Sequence, residues 1–340
     1  MKHSKEEQIS RKKIHNMPIK CYNFQKSTQR FIVQFNEYLK SCREKYELTQ
    51  EELVQELYNF DDIFMGLDVG TLSRWERGTT QPNTDKQVNI LKLFKSKSNH
   101  ILSCFEGMDR NLIENEICKR GVKNLIGASK EHILTFPTKS FKMDYTSISH
   151  IRTAQDIDKA LAMPYSTILN LTGNVYNLSL EDIKKWALHP SNLFLLSEYH
   201  EQYSGMLFTL RLKPATYQKI INFEININDI DESDFASFKE KGSNFAIAFF
   251  AYNDKNATLL FLRYYAHLIA NQDLIENVGA TPVLTGAKKI VQKMNMKHYI
   301  DKETDKGTLS SYSATLEDIL LNESVLKMLF QKQECPEDEN

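Results

Sequence analysis

Histidine and cysteine, the residue types that most often act as metal ligands or nucleophiles, are scattered along this sequence. The cysteines occur singly, and no pair has CxxC spacing, so we predict neither a disulfide framework nor a zinc site. They are Cys21, Cys42, Cys104, Cys118 and Cys335. The later histidines, His189, His200, His267 and His298, form no HExxH or HxH pattern. No Walker-type loop or GxSxG motif is present either, so we expect no catalytic residues, metal or cofactor, and a reducing cytoplasmic environment.

A second kind of chemistry is hydrogen bonding to the bases of DNA. Side chains capable of it occur in the segment DVGTLSRWERG at residues 68–78. Asp68 is a good N-cap and Gly78 a good terminator, which predicts a short helix between them. Arg74 can donate paired hydrogen bonds to a guanine, and Thr71 can contact a thymine methyl group. The expected base-contacting residues are Val69, Gly70, Thr71, Ser73 and Arg74.

Neighbouring helices must position this segment. Apolar residues at helical spacing predict a first helix from Arg30 to Lys45. The run Thr49–Glu52 fits a capping box, which predicts the start of a second helix. A further helix is expected to begin at Thr84 or Asp85. The candidates for phosphate contacts are Thr49, Gln50, Arg77 and Lys86.

The runs LTQEELV at 48–54 and TLSRWERG at 71–78, followed by Pro82, resemble the XRE-type (Cro and phage-repressor) helix-turn-helix family. The resemblance implies an all-α domain at residues 29–97 that binds double-stranded DNA as a homodimer. It also implies a structural ion pair between Arg43 and Glu76. This chain departs from the family in two ways. The stretch 58–67 is longer than the usual turn, and Gly70 replaces a longer polar residue.

From about residue 145, helical stretches alternate with strand-like ones, which predicts an α/β or α+β domain. Three segments resemble the first elements of the GNAT N-acetyltransferase fold: 148–157, 178–190 and 194–208. The order continues with a strand, a helix, a strand, a helix and a closing strand near Tyr299. The resemblance implies a GNAT-like domain at 145–330. The predicted fold class is therefore multidomain, with an all-α helix-turn-helix domain before an α/β (α+β) GNAT-like domain.

Acetyl transfer in the GNAT family uses a Gly-containing loop whose amides bind the diphosphate of acetyl-CoA. The corresponding stretch here, YNDKNAT at 252–258, contains no glycine. Asp254 would repel the diphosphate, and Lys255 would offset only part of that repulsion. Tyr299 lies near the position of a catalytic acid in some members, but a half-buried strand tyrosine is the simpler interpretation. The sequence thus predicts a degenerate, non-catalytic domain for sensing or dimerisation.

Length and charge limit the number of domains and the kinds of partner that this chain can have. The chain has 340 residues, enough for two domains with separate cores, and no apolar run is long enough to cross a membrane. Residues 1–100 contain 17 basic and 13 acidic residues, against 26 and 31 in the remainder, which favours a polyanionic partner for the first part. We interpret residues 1–28 as a flexible basic arm, 98–144 as a partly helical connector and 331–340 as an acidic tail.

These patterns predict a dimeric, sequence-specific transcriptional regulator that is not an enzyme. It would lie in the cytoplasm on the nucleoid and respond to a small-molecule or protein effector. Two alternatives stay open. One is an active N-acetyltransferase fused to a DNA-binding domain, against which the missing glycine loop argues. The other is a DNA-binding antitoxin or scaffold, which a co-purifying protein would favour.

Overall fold

The computed structural model describes residues 34–98, 100–121, 146–173, 177–305 and 307–330. The predicted basic arm at 1–28 and the acidic tail at 331–340 lie outside the described residues, as does most of the second half of the connector. The predictions for these segments therefore stay predictions, and so do the domain boundaries.

Four helices form the N-terminal part: α1 (Phe35–Lys45), α2 (Gln50–Phe60), α3 (Val69–Glu76) and α4 (Thr84–Ser96). Their starts follow the local capping chemistry. The hydroxyl of Thr49 accepts from the Glu52 amide at 3.1 Å, and the Glu52 carboxylate accepts from the Thr49 amide at 2.7 Å. Asp68 accepts from the Thr71 amide at 2.6 Å. The stretch expected to be a loop is partly helical, because α2 continues to Phe60 and a 3-10 turn follows at Asp62–Phe64.

A seven-stranded sheet forms the centre of the remaining chain, in the order β1-β2-β3-β4-β5-β7-β6. Its strands are β1 (Thr146–His150), β2 (Leu193–Tyr199), β3 (Gln202–Leu212), β4 (Gly242–Ala251), β5 (Ile275–Ala280), β6 (Lys297–Thr304) and β7 (Gly307–Thr315). β4 and β5 are parallel, and every other neighbouring pair is antiparallel. The one parallel pair at the centre follows from the helical crossover between β4 and β5.

Helices cover both faces of the sheet. They are α5 (Arg110–Gly121), α6 (Ile157–Thr172), α7 (Leu180–Leu188), α8 (Pro214–Ile221), α9 (Asp254–Ala270), α10 (Thr285–Lys293), α11 (Leu316–Leu320) and α12 (Glu323–Phe330). Side chains of α6, α7 and α8 pack on one face, and those of α5, α9, α11 and α12 on the other. Four of these elements were not foreseen: α8, β7, which inserts between β5 and β6, and the two final helices.

The N-terminal helices share their core with one face of this sheet. The ring of Phe330 on α12 lies 5.5 Å from that of Phe35 and 5.6 Å from that of Tyr38, between ring centroids. The Leu102 amide donates to Gln272 Oε1 at 2.8 Å. One cluster of buried residues therefore runs from α1 to α12.

A cluster of ionisable groups joins α5, α9 and the end of β1. His267 Nδ1 lies 3.2 Å from Glu114 Oε1, and Arg263 Nη1 lies 3.4 Å from Cys118 Sγ. His150 is packed beside them. Burial, helped by the charges of Arg152 and Arg263, lowers the pKa of His150 to about 4. His150 is therefore neutral in the folded protein at neutral pH.

We expect His150→Asn to flatten the pH dependence of stability on the acid side. Below about pH 6.5 the unfolded state protonates this histidine while the folded state does not, so stability is lost progressively as the pH falls towards 4. The full effect is about 3 kcal/mol. Urea unfolding of wild type and variant between these pH values measures it. His298→Asn removes an exposed histidine as the control, and parallel curves for His150→Asn and wild type would contradict the prediction.

Candidate functional site

The parallel strands β4 and β5 separate part-way along their length. Their pairing includes Asn244 with Val278 and ends with Ala246 beside Ala280, whereas β4 continues to Ala251. Residues 247–251 of β4 thus have β3 on one side and no β5 partner on the other. Since alternate residues of a strand direct their main-chain groups to opposite neighbours, part of the β4 backbone faces this opening.

Two local features produce the separation. Phe208 of β3 pairs with Ala248 and Thr209 pairs with Ala246, so Ile247 is an extra residue in β4. Such a bulge bends and twists its strand. On the other side, β5 ends just before Thr281 and Pro282. Proline has no amide proton for a sheet hydrogen bond, so the chain turns away there.

The opening is an apolar cleft with a volume of about 120 Å³. Its walls come from both faces of the sheet. Leu171 of α6 lies on one side, while Phe261 of α9 and Ala287 of α10 lie on the other. Leu207 and Phe249 of the central strands also line it. The cleft therefore passes between the strands, and its walls suit a hydrocarbon chain.

A second, polar pocket of about 330 Å³ lies beside the cleft. It is lined by Ile220 of α8, the chain that follows α8, Phe245 of β4 and the β6–β7 hairpin. Thr281 lines both the pocket and the cleft. The two spaces thus meet at the point where β5 leaves the sheet.

Two buried phenols stand near this junction. Tyr264 of α9 lines the cleft, and Tyr217 of α8 shares a 2.7 Å hydrogen bond with Ser313 of β7. Tyr217 lies over Gly279 of β5, where a Cβ would come within 2.5 Å of its hydroxyl oxygen. Burial raises the pKa of both tyrosines. Both phenols therefore keep their protons at neutral pH and are able to donate a hydrogen bond.

The turn between β4 and α9 differs from a phosphate-binding loop. Asn253 is the N-cap of α9, and its side chain accepts from the Asn256 amide at 3.0 Å. The Asn256 side chain and the Tyr252 amide both donate to the Ser204 carbonyl, which fixes the turn against β3. Asp254 stands in the first turn of α9. These residues do not fit a diphosphate, because one amide of the first turn is already capped and a carboxylate adjoins it.

Tyr299, which the family position suggested as a catalytic acid, lies on β6 and is half exposed. Its hydroxyl accepts from Gln218 Nε2 at 2.8 Å.

Within the described ranges, no group of histidine, cysteine or acidic residues has the arrangement of a metal site. No helix in the same ranges combines the length and the apolar character needed to cross a membrane.

The residues expected to contact DNA lie at the start of α2, on α3 and on α4. In the first turn of α3, Gly70 is exposed and Val69 is partly exposed. Arg74 Nη2 donates to Thr71 Oγ1 at 2.8 Å, and Arg77 Nε donates to the Ser73 carbonyl.

The other residues of that set have structural partners. Thr49 caps α2, and the Lys86 ammonium lies 5.9 Å from the centre of the Trp75 ring. Gln50 Nε2 donates to Glu76 Oε2 at 2.8 Å. The structure also brings Arg43 and Glu76 together, with Nε 2.6 Å from Oε1. What the exposed members of the set contact stays a prediction, as do a homodimer and a nucleoid location.

No protein-family model matches this sequence, and no curated protein matches it. Three solved structures are similar to part of it. An N-acetyltransferase from Staphylococcus aureus Mu50 has 16% identity, covers 50% of this chain and 98% of its own, and gives a TM-score of 0.33. An N-acyl amino acid synthase from uncultured soil microbes has 9% identity, coverages of 46% and 89%, and a TM-score of 0.33. An uncharacterized protein from Bacillus halodurans has 12% identity, coverages of 54% and 90%, and a TM-score of 0.34.

The domain around the sheet is α+β, with one seven-stranded sheet and helices on both of its faces. From β1 to β3, its element order is the one expected from the segments 148–157, 178–190 and 194–208, which resemble the GNAT fold. An XRE-type helix-turn-helix domain is not shown for the N-terminal helices, which do form an all-α unit.

The prediction of a DNA-binding transcriptional regulator without enzymatic activity was wrong. The finding against it is that the solved structures similar to part of this chain include an N-acetyltransferase and an N-acyl amino acid synthase. The associated descriptions of this protein as DNA-binding and as a member of the XRE family were wrong as well.

The physical reason for this error lies in the weight given to one loop. Because the stretch YNDKNAT at 252–258 contains no glycine, the domain was expected to be non-catalytic. The cleft lies instead where the bulge at Ile247 and the end of β5 before Pro282 separate the two strands. Residues of both spaces were not predicted as site residues, and they include Thr281, Ala287, Tyr264 and Lys302. Pro282, directly after the segment IENVGAT at 275–281, was the local signal that a strand ends there.

Proposed function

We propose that this protein is an acyltransferase that moves an acyl group from a thioester to an amine. The observation that carries the proposal is the junction at Thr281 between an apolar cleft and a polar pocket, at the point where β4 and β5 separate. The cleft is apolar and the pocket is polar, and the two substrates of such a reaction differ in polarity in the same way. One suits an acyl chain, and the other suits a small polar acceptor.

The donor would lie along the open side of β4. A pantetheine-like thioester arm is extended and contains amide groups, so it can hydrogen-bond to a strand edge in the way that another strand would. The separation leaves that edge of residues 247–251 available while β3 occupies the other. The acyl group would then lie in the cleft, between apolar walls that include Leu207 and Phe261.

The reaction needs few groups from the protein. The amine nitrogen bonds to the thioester carbonyl carbon, and the carbon–sulfur bond breaks with its electrons on sulfur. The nitrogen loses one proton, and the thiol gains one. Tyr264 lines the cleft and keeps its proton, so it is the candidate to donate a hydrogen bond to the sulfur or carbonyl oxygen. Holding the two substrates together supplies much of the acceleration.

The turn at Asn253 and Asp254 affects which part of the donor is recognised. Since these residues do not fit a diphosphate, we propose that recognition is concentrated on the thioester arm and the acyl chain. Coenzyme A and an acyl-carrier protein both present that arm, and both qualify as donors. The N-terminal helices would support this site from behind, because they share a core with α9.

The test is acyl transfer by the full chain. Acetyl, octanoyl and palmitoyl thioesters of coenzyme A, of pantetheine and of an acyl-carrier protein are supplied with a mixture of amines. We expect amine-dependent release of free thiol, with an N-acylated product detected by mass spectrometry. We also expect pantetheine thioesters to react about as well as those of coenzyme A. Absence of an amide product with every donor would disprove the proposal.

A further inference from the structure

The lining of the polar pocket contains two charged side chains of opposite sign. Among its lining residues that the structure describes, Lys302 of β6 is the one basic side chain and Asp305 the one acidic side chain. The remaining polar lining consists of neutral amides and hydroxyls: Asn177, Asn226, Asn228, Thr281 and Thr304. Neutral donors and acceptors can orient a ligand but do not compensate a charge. A charged ligand in this pocket would therefore find its partner at Lys302 or Asp305.

The Lys302 ammonium is positioned by an aromatic ring and not by a carboxylate. Its ammonium lies 5.8 Å from the centre of the Phe223 ring. The ion pairs between described residues do not include Lys302, and the ion pairs of the same hairpin include His298 with Asp301 instead. A cation–π contact holds an ammonium in place without neutralising its charge, so the charge remains available to an anion.

The backbone of Phe223 is unusual. Its φ is +58°, a left-handed conformation in which a bulky residue is strained. Its amide donates to the Ile220 carbonyl at 3.0 Å, and the Glu224 amide donates to the Lys219 carbonyl at 2.8 Å. Glycine usually occupies this position after a helix. A phenylalanine here carries a conformational cost, and the ring it places beside Lys302 is a reason to retain it.

We infer that the acyl acceptor is a small amine carrying an anionic group, a carboxylate or a phosphate, which Lys302 binds. This inference rests on the proposed function and names the substrate class of its polar pocket. The volume of about 330 Å³ suits a molecule of amino-acid size rather than a protein segment. With the anionic group at Lys302, the amine is left to reach the junction at Thr281. Asp305, which is exposed at the rim, adds attraction for the amine as it enters.

The test compares amines that differ only in the anionic group. Leucine is paired with 3-methylbutylamine, and phosphoethanolamine with ethanolamine. For the wild type we expect the anionic member of at least one pair to have the higher kcat/KM, by about tenfold or more. In Lys302→Met this preference disappears, because kcat/KM for the anionic amine falls to that for the neutral amine, chiefly through KM. Lys302→Arg keeps the preference, and Lys297→Met on the same strand is the matched control.

Binding measurements keep the two proposals separate. Calorimetric titration of the wild type and of Lys302→Met with leucine and with phosphoethanolamine needs no turnover. Binding by the wild type that is lost in Lys302→Met supports the pocket even if no thioester reacts. If the wild type binds neither compound, or if Lys302→Met binds them equally well, the inference is overturned. If neutral amines are acylated without any preference, only the inference fails, and the proposed acyltransferase stands.

Discussion

Replacing Ala287 with tryptophan is expected to reduce acyl transfer by about 100-fold, since a misplaced donor loses most of the advantage of proximity. Ala287 lies on α10 and lines the apolar cleft, whose volume is about 120 Å³. An indole ring at this position would occupy the space that the proposed donor needs. Because the residue is only partly buried, the ring can be accommodated without disrupting the main core. Initial rates with acyl-pantetheine and calorimetric titration with its unreactive analogue measure the loss.

Lys289→Trp provides the matched control for this variant. Lys289 lies on the same helix but is exposed and does not line the cleft. We expect it to retain transfer and donor binding, with a melting temperature close to those of the wild type and of Ala287→Trp. If Ala287→Trp were as active as the control, the donor would bind elsewhere. A much lower melting temperature for Ala287→Trp alone would instead attribute the loss to folding.

Removing the carboxylate of Glu76 is expected to cost about 3–5 kcal/mol of stability, as when one partner of a buried ion pair is deleted. The Glu76 side chain is 3% exposed and that of Arg43 is 15% exposed. Glu76 accepts two hydrogen bonds from Arg43 and one from Gln50. In Glu76→Ala a guanidinium and an amide lose these partners in a place where water has little access. Denaturant unfolding followed by circular dichroism measures the effect.

Two variants complete this experiment. Glu76→Gln keeps the volume and one acceptor oxygen, so it should lose less, about 1–3 kcal/mol. Asp273→Ala breaks the Arg110–Asp273 pair, in which both side chains are more than one-third exposed. It should cost less than about 1 kcal/mol. Equal losses for Glu76→Ala and Asp273→Ala would show that burial does not set the strength of these pairs.

The sequence determined the starts of α2, α3 and α4, whereas α1 begins at Phe35 and not at Arg30 as predicted. Thr49 with Glu52, and Asp68 with Thr71, make the capping contacts that their spacing predicted. These contacts join residues only three apart, so propensity and spacing specify them without the rest of the fold. The expected alternation of helices and strands after residue 145 rests on the same kind of local signal. By contrast, α8, β7 and the two final helices were not predicted, although the local contact of Thr315 with the Asp318 amide caps the start of α11.

Tertiary structure alone decided the candidate site. The pairing of Ala246 with Ala280, the bulge at Ile247 and the contact of Lys302 with Phe223 join segments far apart in the chain. Whether two parallel strands stay paired or separate depends on the register of a third strand and on the helices above and below them. Local periodicity contains no information about that register, because the same alternation of side chains is compatible with several pairings. The sequence could therefore indicate a sheet with helices, but the opening between its central strands followed only from their assembly.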